Sequence, residues 1–296
     1  MRATTPIDPP IDPPIDPRID ARIADRVTPE LVDAFQRDGA VCIRQLLSAD
    51  EVSLLRDGID ANLAAPSPRA KVASVAGDPG QFVEDFCNWQ NNDAYRRVIF
   101  DSALAATAGA LTGSQRIRLY HDHMLTKEPG TRAPTPWHLD QPYYNIEGGQ
   151  NCSMWIAVDA VRRRSTLEFV AGSHRGPWLM PRSFMDSQAK WFPEGSLAEL
   201  PDIEARRAAG DQGQRILGWE IEPGDVVCFH MLALHAAGGV DGDRRRRVFS
   251  VRFLGDDIRH APRRWVTSPE FPGLADRLPA GAPMHDALFP ILWEQS

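Results

Sequence analysis

The pattern of apolar positions along the chain changes near Gly113. Before it, apolar residues fall in segments bounded by helix-capping residues, and one strand-like run separates the first two segments. After it, short β-like runs are separated by Gly, Pro and Asp, which is typical of strands joined by turns. The sequence therefore predicts helices first and a β-rich remainder.

Capping residues mark the predicted helices. Thr28 is suited to an N-cap, Pro29 to a first turn, and Gly39 follows the end of the run. The predicted elements before Gly113 are a helix from Thr28, a strand over Ala40 to Arg44, a helix opening at Ser48 and a helix over Asp93 to Leu111.

Short apolar runs after Gly113 are predicted strands. They are Arg116 to Lys127, Ser153 to Val158, Thr166 to Val170, Arg215 to Glu220, Asp225 to Phe229 and Val248 to Phe253. Their spacing, with few helices between them, favours an antiparallel sandwich or barrel. We expect the helices to form a layer outside this barrel.

Two segments depart from this pattern. The sequence IDPPIDPPIDPRID, from Ile7 to Asp20, repeats a four-residue unit rich in proline, which removes amide donors. We therefore expect residues 1–26 to form an extended or disordered arm and residues 27–296 to form the folded domain. The segment Ser187 to Ala209 is polar and partly helical, and we interpret it as an insertion that covers one mouth of the barrel.

Composition excludes several classes of protein. The 296 residues are 43% hydrophobic and 25% charged, as in ordinary globular proteins, and the net charge of −7 argues against a nucleic-acid partner. The four cysteines form no CxxC pair, which favours reduced thiols over a zinc site or a disulfide framework. Because no apolar stretch is long enough for a membrane span, we expect a cytoplasmic protein without a membrane partner. Nothing in the sequence determines its oligomeric state.

The stretch PWHLDQPYYN contains a candidate pair of metal ligands. His138 and Asp140 are two residues apart, so on an extended backbone their side chains project from the same face. A triplet of this kind also arises by chance, and the pair alone does not establish a metal site. In YHDH, His121 and His123 have the same spacing and compete for the role, although strand histidines are more often structural.

A third ligand is offered by GDVVCFHMLALHAAGG, in which His235 lies just past an apolar strand. Two imidazoles and one carboxylate form the facial triad of non-haem iron oxygenases, which leaves coordination positions for a keto acid and oxygen. The sequence therefore points to an iron site built from His138, Asp140 and His235.

An arginine follows the distal histidine. Arg246 stands 11 residues after His235, near the start of RVFSVRF, and shares strand parity with Ser250 and Arg252. Its planar guanidinium suits the buried distal carboxylate of a keto acid, because it pairs bidentately and stays protonated. Arg247 points the other way and remains the alternative if the register slips by one residue.

Taken together, the HxD pair, the distal histidine, the following arginine and the stretch LEFVAGSHRGP resemble the phytanoyl-CoA dioxygenase family, over about Val27 to Asp257. The resemblance implies a double-stranded β-helix, or jelly roll, and hydroxylation of a small-molecule substrate coupled to decarboxylation of 2-oxoglutarate by O2. Desaturation or ring formation by the same oxidant, or a jelly-roll binding module without catalysis, remains the alternative. The resemblance assigns Fe(II) to His138, Asp140 and His235. It assigns the carboxylate of 2-oxoglutarate to Arg246, and the lining of the co-substrate pocket to Met124 and Trp155.

The sequence does not decide the roles of several residues near the predicted site. Where relatives carry a small polar residue beside the distal histidine, this chain has Ala236 and Ala237. If Met124 faces the cavity, strand parity brings Asp122 and Arg118 to the same face, where they would contact substrate or form a buried ion pair.

Overall fold

In the computed structural model of the protein, the described residues are 17–74, 77, 79–132, 134–180, 197–211, 213–240 and 244–295. The α-helices of this part are α1 (Pro17–Arg26), α2 (Pro29–Asp38), α3 (Ala49–Ala64), α4 (Asp93–Asp101), α5 (Leu104–Thr112), α6 (Ile203–Ala208) and α7 (Leu274–Arg277). Short 3-10 turns lie at Gln141–Tyr143, Arg163–Ser165 and Ser173–Arg175. None of the helices in the described part has both the length and the apolar character needed to span a bilayer.

The strands follow the same order along the chain. They are β1 (Ala40–Ile43), β2 (Lys71–Val72), β3 (Phe82–Phe86), β4 (Arg116–Lys127), β5 (Thr135–His138), β6 (Ile146–Glu147), β7 (Asn151–Ala157), β8 (Leu167–Val170), β9 (Ile216–Gly218), β10 (Val226–Phe229), β11 (His235–Ala237), β12 (Arg246–Leu254), β13 (Arg259–His260) and β14 (Ile291–Glu294).

The strands form two main antiparallel sheets. The larger has the order β1-β10-β7-β12-β4-β3-β2, with β14 also paired to β4, and the smaller has the order β5-β11-β8-β9. Trp155 and Phe229 of the large sheet pack with Phe169 and Ala237 of the small one, so the two sheets face each other. This is the double-stranded β-helix expected from the sequence, and that prediction is confirmed.

The helices cover the other face of the large sheet. Phe35 of α2, Leu55 of α3 and Leu104 of α5 join a continuous core with Met154 and Phe249 of the sheet. Burial of this apolar surface provides the main stabilisation of the helical layer. The outer helical layer predicted from the sequence is therefore confirmed.

Local capping explains why α2 begins and ends, and why α3 begins, where the sequence predicts. Thr28 Oγ1 accepts from the Leu31 amide at 3.4 Å, and Gly39 ends α2 at φ 80°. A Cβ at Gly39 would also lie 2.4 Å from His174 Nδ1, so only glycine fits there. At α3, Ser48 Oγ accepts from the Glu51 amide at 3.3 Å, and Glu51 Oε2 accepts from the Ser48 amide at 2.6 Å.

The helix predicted over residues 93 to 111 is two helices. Ser102 adopts an extended backbone between α4 and α5, and its hydroxyl donates to the Val98 carbonyl at 2.5 Å. A serine hydroxyl competes in this way with the main-chain donors that would continue a helix. The sequence pattern also missed the strands β3 and β14, both of which pair with β4.

The N-terminal arm was predicted wrongly for residues 17–26, which form α1; residues 1–16 lie outside the described part. Proline is favourable at the start of a helix, and no proline follows Pro17 in this stretch. Ile23 packs against the core, and Arg22 Nη1 donates to Glu51 Oε2 at 2.6 Å and to the Leu46 carbonyl at 3.2 Å. The helix is thus attached to the domain.

The predicted insertion is described only from residue 197 onward. Leu200, which precedes α6, and Ile203, its first residue, pack against Leu139 and Leu234. Leu139 and Leu234 directly adjoin the predicted metal ligands in the sequence. The described end of the insertion therefore lies beside the candidate site, and residues 187–196 lie outside the described part.

Candidate metal centre

The small sheet brings the two predicted histidine ligands together. Strands β5 and β11 are antiparallel, with His138 directly opposite His235, and the centroids of the two imidazole rings are 4.1 Å apart. Asp140 follows two residues after His138, where the chain leaves β5 and enters a 3-10 turn. Residues almost 100 positions apart in sequence thus meet because their strands pair.

The three side chains form a compact set of donor atoms. The Nε2 atoms of His138 and His235 are 3.6 Å and 3.8 Å from Asp140 Oδ1. One ligand atom from each residue lies within 4.8 Å of the others, and all three residues are buried. The separations suit ligands arranged around one ion rather than direct hydrogen bonds.

Backbone carbonyls fix the tautomer of both rings. The Nδ1 of His138 lies 2.8 Å from the Pro136 carbonyl, and the Nδ1 of His235 lies 2.9 Å from the Ala233 carbonyl. A carbonyl can only accept, so the proton sits on Nδ1 and the lone pair on Nε2, on the side of Asp140. Burial and the neighbouring His138 lower the pKa of His235 to about 3, which keeps its imidazole neutral.

Two residues of the large sheet hold Asp140. Its Oδ2 accepts from Ser153 Oγ at 3.1 Å and from Arg252 Nη2 at 3.4 Å. Burial alone would raise the pKa of this carboxyl group, but Arg252 and the two histidines hold it well below its ordinary value. Asp140 is therefore a carboxylate at neutral pH, with Oδ1 directed to the histidines.

Arg246 is a buried cation in the space between the sheets. Its Nη1 donates to the carbonyl groups of Ser165 and Gly238, and its Cζ lies 5.9 Å from the centroid of the Trp155 ring. None of the described residues places a carboxylate within ion-pair distance of Arg246, and burial lowers its pKa to about 10.

Arg247 points to the opposite side of β12. Its Nη2 pairs with Asp159 Oδ1 at 2.8 Å and its Nη1 with Asp60 Oδ2 at 2.8 Å, on the helical side of the sheet. The alternation predicted for the two arginines is thus the one observed, and the alternative register is excluded.

The placement of Met124 in the co-substrate pocket was wrong. Met124 is fully buried on the helical side of β4, opposite Phe249. Strand alternation then sends Leu125 to the other side, where it packs against the core that contains Trp155. Of the two residues predicted to line the co-substrate pocket, only Trp155 lies beside Arg246.

A bulge in β4 separates Arg118 from Asp122 and Met124, which strand parity predicts to lie on one face. Arg252 pairs with His121 while Phe253 pairs with Leu119, so Tyr120 is an extra residue in the ladder. Asp122 shares the helical side with Met124, and there it accepts from the amides of Asn88 and Trp89 at 2.9 Å and 3.0 Å. Arg118, before the bulge, lies on the other face, where its Nη1 donates to the Phe289 carbonyl at 3.0 Å. The predicted contact of Asp122 with substrate is therefore not supported.

The sequence missed two residues at the centre. Arg252 had been placed on the strand face of Arg246 without a role, and Ser153 had not been singled out; the two are cross-strand partners that both contact Asp140. His121, which had been weighed as a metal ligand, instead lies opposite Arg252 in the ladder. Parity alone identified the face of Arg252, but only the pairing of β7 with β12 places it beside Asp140.

Comparison with known proteins agrees with this arrangement. The model of the phytanoyl-CoA dioxygenase family matches residues 35–248, well over half of the chain. The chain belongs to the phytanoyl-CoA dioxygenase family. The matched range includes all three members of the His-Asp-His set as well as Arg246.

Relatives of this phytanoyl-CoA dioxygenase family member include an ectoine dioxygenase of Stutzerimonas stutzeri (strain A1501), 29% identical over 158 residues, 50% of this chain and 51% of the relative. The chain spans about half the length of the curated relatives it matches first.

Solved structures share its fold over almost the whole chain. The non-heme alpha-ketoglutarate-dependent carbocyclase SnoK from nogalamycin biosynthesis superposes with a TM-score of 0.70 at 22% identity, covering 91% of this chain and 98% of that one. The epimerase SnoN, in complex with Fe3+, alpha-ketoglutarate and nogalamycin RO, gives 0.69 at 24% identity, covering 89% and 98%.

Proposed function

We propose that this protein is an Fe(II)- and 2-oxoglutarate-dependent dioxygenase that hydroxylates a small molecule. The observation that carries the proposal is the buried His138, Asp140 and His235 set, in a member of the phytanoyl-CoA dioxygenase family. Net charge and the buried site favour a small-molecule substrate over a nucleic acid.

The donor set fits ferrous iron. Two imidazole Nε2 atoms and one carboxylate oxygen, each fixed by a second hydrogen bond, are the ligands of a facial iron site. His138, Asp140 and His235 would hold the metal and leave its remaining positions to co-substrate and oxygen.

The surroundings of Arg246 fit 2-oxoglutarate. A buried guanidinium that meets only carbonyl groups and an aromatic face among the described residues calls for an anionic partner, because an unpaired buried charge is costly. The distal carboxylate of 2-oxoglutarate would supply that partner, with Trp155 packed beside it.

Iron bound there with 2-oxoglutarate supplies oxidation of a substrate C–H bond by O2, with release of succinate and CO2. The chain itself contributes positioning and exclusion of water. Ser153 and Arg252 orient the Asp140 carboxylate, and the two backbone carbonyls orient the rings. Asp140 also argues against halogenation, because its carboxylate occupies the position that a halide would need.

A metabolite screen tests this proposal. Purified protein with Fe(II), 2-oxoglutarate and oxygen is incubated with candidate substrates, and succinate formation and oxygen consumption are measured. We expect succinate formation that depends on both iron and 2-oxoglutarate. Without either activity, the alternative of a non-catalytic jelly-roll binding module would stand.

Substitution of the ligands tests the assignment of residues. His138→Ala, Asp140→Ala and His235→Ala should each lower iron content and abolish succinate formation, because two ligands no longer fix the site. His285→Ala, at an exposed histidine, is the matched control and should behave as the parent. Full iron occupancy and turnover in any of the three would remove that residue from the set.

A further inference from the structure

A buried arginine beside the metal centre has hydrogen-bonding capacity that the fold does not use. Arg252 is 6% exposed; its Nε donates to Tyr144 Oη at 3.0 Å and its Nη2 to Asp140 Oδ2 at 3.4 Å. Its Nη1 has no hydrogen-bond partner among the described residues. A buried charged donor left in this state carries a desolvation cost, which a ligand would relieve.

The residue opposite Arg252 offers an acceptor. His121 is paired with Arg252 across β4 and β12 and is 1% exposed. Its Nδ1 lies 3.2 Å from the Asp122 carbonyl, so the proton is on Nδ1 and the lone pair on Nε2, which has no hydrogen-bond partner in the described part of the chain. Burial and Arg252 lower the pKa of His121 well below its ordinary value, so it stays a neutral acceptor.

The charge balance around Arg252 favours an anion. Asp140 is the one carboxylate among the described residues that contacts it, and the proposed function uses this carboxylate to hold iron. Tyr144 supplies a neutral hydroxyl, because burial raises its pKa. The guanidinium therefore has a shared counter-ion on Nη2 and an unused donor on Nη1.

We propose that Arg252 and His121 form the subsite for the polar end of the substrate, and that this end is a carboxylate with a hydroxyl or ammonium group close to it. The carboxylate accepts from Arg252 Nη1, and the hydroxyl or ammonium donates to His121 Nε2. This assignment rests on the proposed function, since it places the substrate next to the metal. The substrate class is then a hydroxy or amino acid.

The co-substrate is the other source of a carboxylate. In the proposed function, Arg246 takes its distal carboxylate and the metal takes its keto-acid end, so neither requires Arg252. Titration of 2-oxoglutarate in the same variants separates the two sources.

The test uses full-length protein loaded with Mn(II) in place of Fe(II) and with 2-oxoglutarate, so that no turnover occurs. The probes are hydroxy and amino acids, each beside its primary amide and its analogue without the donor group, beginning with phenyllactate, phenyllactamide and hydrocinnamate. Binding is measured as the paramagnetic relaxation that Mn(II) causes in the NMR signals of each probe, which reports how close the bound probe lies to the metal. Metal and 2-oxoglutarate affinities are measured for every variant.

In the parent, acids should bind and amides should not, and acids with the donor should bind more tightly than those without it. Arg252→Gln should weaken acid binding about tenfold or more, and Arg252→Lys should retain part of it. His121→Phe should remove the preference for the donor group. Arg259→Gln, whose Nη1 donates to the backbone carbonyls of Asp256 and Ile258, is the control.

The inference is overturned if no acid approaches the metal, if amides bind as well as acids, or if Arg252→Gln leaves acid binding intact. It is also overturned if Arg252→Gln weakens the binding of 2-oxoglutarate as much as the binding of the acids. The carboxylate at Arg252 would then be that of the co-substrate. A parent that binds neither Mn(II) nor 2-oxoglutarate would instead refute the proposed function.

Discussion

At the scale of single residues, strand alternation gives two adjacent arginines different surroundings. Arg246 lies between the sheets with no carboxylate partner among the described residues, whereas Arg247 lies outside them and pairs with Asp60 and Asp159. The same residue type is thus suited to bind a ligand at one position and to fasten the helical layer at the next.

The pair gives a matched test of co-substrate binding. Arg246→Ala should raise the 2-oxoglutarate concentration for half-maximal succinate formation about tenfold or more, because a charge-assisted bidentate pair is lost. Arg247→Ala should leave that concentration near the parent value. It should instead lower the free energy of unfolding by about 1 to 3 kcal/mol, through loss of charged hydrogen bonds. Steady-state kinetics and urea unfolding measure the two effects, and the reverse outcome would exchange the two roles.

At the scale of elements, the bulge in β4 reverses which residues face each of the two cores. The extra residue at Tyr120 moves Asp122 to the helical side, where it caps the amides of Asn88 and Trp89, and leaves His121 opposite Arg252. A regular strand would have kept Asp122 and Tyr120 on one face. The bulge therefore decides which polar residues adjoin the metal centre.

The attachment of α1 is a second feature at this scale. Ile23→Ala combined with Arg22→Gln removes the apolar contact with the core and the hydrogen bond to Glu51, and should lower the free energy of unfolding by about 1 to 2 kcal/mol. Asp25→Asn, at an exposed position of the same helix, is the control. Urea unfolding measures the difference. Equal stability of the double variant and the control would mean that α1 does not dock in solution.

At the scale of the whole molecule, buried neutral histidines link folding to pH. His230 is 8% exposed; its Nε2 donates to the Gly149 carbonyl at 2.9 Å, and its Nδ1 accepts from the Leu232 amide at 3.0 Å. Burial, and then His174, lower its pKa from 6.5 to about 4. Protonation would break the bond from the Leu232 amide, which explains why the fold favours the neutral ring.

Because the folded pKa lies below the unfolded one, the unfolded chain takes up the proton first as pH falls. The stabilisation from His230 is complete above pH 6.5 and is lost as pH falls toward 4. At a pH below both pKa values, this shift lowers the free energy of unfolding by roughly 3 kcal/mol relative to neutral pH. Urea unfolding of the metal-free protein across this range should show stability rising with pH. His230→Asn keeps an acceptor that does not titrate and should flatten the slope, and an unchanged slope would contradict this account.

Local signals in the sequence were enough to identify several helices and strands and the metal ligands. Capping residues fixed the starts of α2 and α3, the spacing of two residues identified His138 and Asp140 as a pair, and the period of two in β12 separated Arg246 from Arg247. These inferences succeeded because they depend on neighbours along the chain, through turn chemistry and side-chain alternation. The resemblance of the motifs to the phytanoyl-CoA dioxygenase family then predicted the jelly-roll fold.

Features that depend on partners distant in sequence could be seen only in the folded protein. The bulge in β4 inserts one residue between Arg118 and Asp122 without changing the apolar pattern, so alternation counted across it wrongly puts both on one face. The wrong face of Met124 came instead from the family resemblance, and Asp122 follows Met124 by alternation. The contact of Arg252 with Asp140 requires β12 to pair with β7 in the large sheet while β5, which precedes Asp140, lies in the opposite sheet. The docking of α1 likewise depends on Glu51 and the core surface it covers, because a short helix gains its stability from packing rather than from its own sequence.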